Sequence, residues 1–107
     1  MRILLKAPTD PGFREMVIPS GDTDKELKLL QDLVGGYIET VTLSTDCCII
    51  CNEEGRIPDK DGKPRCEFNC TFCGIDFVGT ILIVGVDGDR LTSAPMSVTM
   101  ANGGIEQ

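Results

Sequence analysis

The sequence predicts an α+β protein: an antiparallel β-sheet with one principal α-helix packed on it, in a single compact domain. Three features carry that reading. Only the stretch from Thr23 to Val34 repeats its apolar residues at clear helical spacing. The other apolar stretches are short, rich in β-branched residues, and separated by Gly, Pro, Asp and Asn. A chain of 107 residues can bury one core but has no linker that would divide it into two.

Ile3 to Ala7 predicts a strand ended by Pro8, and Asp10-Pro11-Gly12 supplies a turn. Arg14 to Pro19, containing Met16-Val17-Ile18, is then the antiparallel partner. Thr23-Asp24-Lys25-Glu26 has the form of a capping box, with Thr23 at the cap and Glu26 reaching back to a free amide. Leu27, Leu30 and Val34, with Leu29 and Leu33 beside them, form the helix's apolar face. Gly35-Gly36 ends the helix where a left-handed residue is wanted. Tyr37 to Leu43 reads as a strand that turns at Ser44-Thr45-Asp46 and returns as Cys47 to Asn52. Glu53 to Lys63 is polar, carries Pro58 and Gly62, and predicts no regular element. Cys66 to Cys73 is a cysteine-rich turn, and Asp76 to Val86 predicts one long buried central strand. Asp87-Gly88-Asp89 then turns tightly into Arg90-Leu91-Thr92. The helix is expected to set Leu27, Leu30 and Val34 against Ile81 and Ile83, each full burial stabilising by about 1.5–3 kcal/mol. Residues 1–95 form the expected domain. Residues 96–107 are a C-terminal tail, either a short helix with Met96 and Met100 on one side or frayed at Asn102-Gly103-Gly104.

Composition narrows the function. Ten basic against seventeen acidic residues leave a net charge of −7, which disfavours direct binding to nucleic acid or anionic membrane and suits a basic protein partner. The chain has no histidine, so Ser-His and Cys-His nucleophile pairs and the usual proton shuttle near neutral pH are excluded. The apolar run at Met1-Arg2-Ile3-Leu4-Leu5-Lys6 is too short for a signal peptide, and no run approaches a membrane span. The expected setting is cytoplasmic, with the six cysteines reduced and serving as core residues, metal ligands or redox groups.

Cys48-x2-Cys51 and Cys70-x2-Cys73 are separated by eighteen residues, the interval of a four-cysteine zinc site. Cys70-Thr71-Phe72-Cys73-Gly74 also has the shape of a zinc knuckle. In a regular strand, however, positions 48 and 51 point to opposite faces. A second ligand set is therefore Cys66, Cys70 and Cys73 with one of Cys47, Cys48 and Cys51. Against both stands the plain reading that Cys47, Cys48 and Cys51 are small buried hydrophobes. A redox reading of Cys70-x2-Cys73 needs a helix after the motif, whereas Gly74 and a strand follow. Glu53, Glu54, Asp76, Asp87 and Asp89 would make a hydrolytic or magnesium site if they met at one end of the sheet, but turn residues of this kind usually serve the turn. Asp59-x-Asp61-Gly62 starts like a calcium loop, yet its Gly comes too early and no Glu closes it. Gly62-Lys63 lacks the upstream glycine of a phosphate loop.

Three segments carry a resemblance. Leu33-Val34-Gly35-Gly36-Tyr37-Ile38-Glu39, Cys51-Asn52-Glu53-Glu54-Gly55-Arg56, and Asp76-Phe77-Val78-Gly79-Thr80 with Val84-Gly85-Val86-Asp87-Gly88 resemble, in the same order, a small bacterial and phage family catalogued as domain of unknown function 3846. The resemblance covers roughly residues 27 to 91. It implies a compact α+β domain carried on phages, plasmids and other mobile elements, and brings no activity and no catalytic residues. Relatives join the Glu-Glu-Gly turn to the last strand through a shorter piece with Leu-Pro before an Asn. Asn69 is the candidate for that Asn, Ile57 to Glu67 reads as an insertion, and the Leu-Pro is absent.

Three functions are consistent with these residues. A protein-binding accessory module of a mobile element, for instance an inhibitor of a host defence protein, is the expectation favoured here, and it is not an enzyme. A zinc-stabilised structural domain is the alternative. A thiol-redox or carboxylate-metal enzyme is the third.

Overall fold

Ile81–Asp87 is the strand around which the sheet is laid. The computed structural model describes residues 1–106. In chain order the elements are β1 (Arg2–Lys6), β2 (Arg14–Val17), α1 (Thr23–Val34), β3 (Ile38–Ser44), β4 (Cys47–Asn52), β5 (Phe68–Phe72), β6 (Ile75–Val78), β7 (Ile81–Asp87), β8 (Arg90–Thr92) and α2 (Val98–Gly103). The main sheet has the order β2-β1-β7-β4-β3, and all its neighbours are antiparallel. β1 and β8 share one side of β7: β1 pairs with Ile81 to Ile83, and β8 with Gly85 to Asp87. β5 and β6 form a separate two-stranded sheet. The fold is α+β, with one main helix and one short one. No helix among the described residues is long and apolar enough to cross a membrane.

Strand alternation divides the core in two. On one face of the sheet Ile3, Leu5, Cys48, Ile50, Leu82 and Val84 pack with Leu30 and Val34 of α1. On the other face Leu4, Cys47, Ile49, Cys51, Ile81 and Ile83 pack with Cys70, Phe72 and Phe77 of the small sheet, Phe13, and Ala101 of α2. The helix therefore meets Leu82 and Val84, where the sequence reading placed Ile81 and Ile83. The assignment was one residue out of phase, which in a strand exchanges the faces. Leu27, expected in the same contact, is 41% exposed.

Local corrections have equally simple causes. The cap of α1 is Asp22, one residue before the expected Thr23; its carboxylate accepts the Lys25 amide at 3.1 Å. Glu26 still reaches back, accepting the Gly21 amide at 3.1 Å. Gly35 closes the helix with φ 82°, as the Gly-Gly stop required. The run from Asp76 to Val86 is two strands. Gly79, with φ 71°, turns the chain out of β6 in the small sheet and into β7 in the large one. The segment read as a cysteine-rich turn contains a strand, β5, whose hairpin with β6 turns at Cys73-Gly74 (φ 49° and 83°). This is the two-residue turn with both φ values positive that matches strand twist.

The second layer is fastened by polar contacts as well as by burial. Lys6 Nζ, at the end of β1, donates to Asn69 Oδ1 at 2.8 Å. Asn69 Nδ2 in turn donates to the Lys6 and Gly79 carbonyls, both at 2.8 Å. After Pro95 the chain forms α2 and then closes beside β5. Phe72 pairs with Ile105, and the Glu106 amide donates to the Thr71 carbonyl at 2.8 Å. Arg2 donates to the Ala94 and Met96 carbonyls, both at 2.9 Å, and Asn102 Oδ1 accepts the Phe13 amide at 2.7 Å, so the tail is held at both ends of its helix.

Two stability measurements follow from this packing. Ile83→Ala removes a fully buried side chain from the double-sided core and is expected to cost about 2–5 kcal/mol in urea unfolding. Gly85→Ala places a Cβ against the Ser93 carbonyl and the Thr92 hydroxyl. It is expected to cost about 1–3 kcal/mol by forcing β8 off β7, with loss of amide protection in Arg90–Thr92 as its signature.

Candidate functional site: an open sheet edge

The structure disperses the six candidate metal ligands, and Cys47 is buried in the core on the small-sheet face. Cys48 lies in the core under α1, while Cys51 lies in the core on the opposite face, as alternation along an unbroken β4 requires. They cannot contribute to one tetrahedral site from there. Cys70 is buried with Phe72 and Phe77. Cys73 is exposed at the tip of the β5–β6 hairpin, with its amide donating to the Gly104 carbonyl at 3.0 Å. Cys66 is half-buried and wedged between Gly55 and Gly79; a Cβ on Gly79 would lie 3.1 Å from its sulfur. Among the described residues, no three Cys, Asp or Glu side chains are grouped so as to hold a metal ion.

The carboxylates are dispersed too. Glu53 follows β4, where its amide donates to the Tyr37 carbonyl at 2.9 Å. Asp87 lies at the other end of the sheet, beyond Val86, whose amide bonds the Asp46 carbonyl at 2.9 Å. Asp76, on β6, accepts a hydrogen bond from the Thr71 hydroxyl.

What the fold does assemble is a corner and an edge. Two of the three motif segments, Leu33 to Glu39 and Cys51 to Arg56, meet at the end of α1. Asn52 is their joint: its Nδ2 donates to the Val34 carbonyl at 3.2 Å, and its Oδ1 accepts the Glu54 amide at 2.8 Å. Gly36 sits so close that a Cβ there would lie 2.9 Å from Asn52 Nδ2. An open groove of about 670 Å³ lies at this corner, lined by Lys28, Gln31, Tyr37, Glu54 and Arg65 among others. Its charges are matched within the chain, Lys28 to Asp32 and Arg65 to Glu54, both at 2.8 Å.

β3 leaves this corner as the outermost strand of the main sheet, seven residues long. The bond from Glu53 to Tyr37 sets its phase. Residues 37, 39 and 41 exchange hydrogen bonds with β4, so the amides and carbonyls of Ile38, Thr40 and Thr42 turn outward. The opposite edge is defended: β2 has four residues, lies between Pro11 and Pro19, and presents Arg14 and Glu15. β3 carries no proline and a single charge, Glu39. A Thr-rich strand was legible in the sequence, but its position at an edge was not, because strand order is set by long-range pairing.

The thiols supply a test of this placement. Burial, the largest cause, pushes Cys47, Cys48, Cys51 and Cys70 above the ordinary thiol value of 9.0. Asp46 and the neighbouring Cys48 push Cys47 further; Arg56 partly offsets Glu39 at Cys51, and Lys6 partly offsets burial at Cys70. The unfolded chain thus loses these protons at lower pH than the folded one. Stability attributable to the four thiols is complete below pH 9.0 and declines as pH rises through their folded values. Alkaline urea titrations should show that decline, and it should shrink in Cys48→Ala. In native protein at neutral pH a thiol reagent should modify Cys73 first and reach these four only on unfolding.

The model of the family described as Domain of unknown function (DUF3846) matches residues 1–101, a longer span than the three motifs alone. No curated protein and no solved structure matches the chain. With nearly its whole length matched, from the β1–β2 hairpin into α2, the chain belongs to this family of domains of unknown function.

Proposed function

We propose that this chain is a small acidic protein-binding module, an accessory protein of a phage or other mobile element that acts by docking on a protein partner. The observation that carries the reading is the open β3 edge: a seven-residue strand with outward-facing amides at Ile38, Thr40 and Thr42, on a sheet whose other outer strand is short and charged. An unpaired edge of this kind recruits another chain through main-chain hydrogen bonds. The net charge of −7 adds attraction toward a basic partner and speeds encounter. Occupation of a basic channel in a host defence protein is one form such docking takes, which would make the module an inhibitor.

The test is co-purification with untagged chain immobilised through Cys73, using lysate of a bacterium that carries the gene. One stoichiometric partner is expected, released as salt rises from about 0.05 M to about 0.5 M because the surface charges are then screened. A lysate that returns no stoichiometric partner at low salt would sink the docking reading.

A further inference from the structure

We infer that the β3 edge and the neighbouring free edge of β6 form one two-walled slot for an extended, basic segment of a partner protein. This rests on the docking reading above and assigns the chemistry of what docks.

The two edges are brought together by the layering. β5 has both sides occupied, by β6 and by the chain around Ile105, so β6 is left as the open edge of the small sheet. β6 lies over the β3–β4 end of the large sheet, and the space between them is a narrow cleft of about 120 Å³. Val41, Ile75 and Phe77 form its apolar floor, and Glu39, Glu53 and Arg56 its charged lining. Asp76, between Ile75 and Phe77 on β6, points to the opposite face, where its carboxylate accepts from the Thr71 hydroxyl. Two acids against one base line the cleft.

An incoming strand that bonds the outward groups of Ile38, Thr40 and Thr42 must send alternate side chains toward the two faces of the sheet. Those on the small-sheet side lie beside Glu39, Val41 and Leu43, the face that also carries Ile75. Long basic side chains suit that side: their methylene stems cover Val41 and Ile75 while their charged ends reach the carboxylates. A second copy of this chain does not suit it, since it would bring the same two carboxylates and its own charge of −7 against them.

The probe is a synthetic peptide of alternating Lys and Val, about seven residues long to match one strand, compared with its Glu/Val counterpart. Titration into isotopically labelled protein should shift the amide signals of Ile38, Thr40 and Thr42, together with Val41 and Ile75. The Glu/Val peptide should leave them in place. Thr40→Pro removes an outward amide without removing a bond to β4, so the variant should melt like the parent. It should bind the Lys/Val peptide at least about tenfold more weakly, the scale of roughly 1.4 kcal/mol. Equal binding of the acidic peptide, shifts confined to other surfaces, no binding of the basic peptide, or β3-mediated self-association of the protein alone would each overturn the inference. A lysate partner that binds Thr40→Pro as well as the parent would also overturn it, while leaving the docking reading intact.

Discussion

Everything in this molecule follows from the need to keep water off both faces of β7. Ile81, Leu82, Ile83 and Val84 are each 0% exposed, so successive side chains point in opposite directions and none reaches solvent. One helix can cover only one face of such a strand. The chain meets the requirement on the second face with the β5–β6 hairpin and α2, which is why a domain of this size carries three layers. Burying each of those aliphatic side chains is worth about 1.5–3 kcal/mol, a large share of the marginal stability of a small domain.

The second layer brings a polar requirement of its own. Lys6 leaves β1 on the side where the hairpin sits and is 4% exposed. An amine buried so deeply needs acceptors, and Asn69 Oδ1 supplies one while its amide nitrogen satisfies two carbonyls from separate segments. The same contacts fix the position of Gly79, where the chain leaves the small sheet for the large one. A polar network at this point thus sets the register of β6 over β4, and with it the width of the cleft beside β3.

The cysteines show how one residue type takes several roles in one fold. Four are core residues whose burial holds their thiols protonated, one is wedged half-buried between two glycines, and one occupies a left-handed turn position in the open. Sequence spacing alone grouped Cys48 with Cys51 and Cys70 with Cys73. In the fold, each of those pairs is separated by the geometry of its own strand or hairpin.

Local pattern was enough for the elements whose causes are local. The apolar period of α1, its Gly35 stop, the β1–β2 and β3–β4 hairpins, the turn at Gly88 and the family membership were all legible in neighbouring residues. Alternation along Cys47–Asn52 even foretold that Cys48 and Cys51 face apart. Tertiary structure decided the rest. The break at Gly79 was invisible because an apolar run has no period to show that it serves two sheets. The facing of Leu82 and Val84 toward α1 depended on register, and one residue of slip reverses it. β3 became an edge, and β6 its neighbour across a cleft, only through pairings between distant segments. Those pairings are chosen by the whole core at once, and no short stretch of sequence contains them.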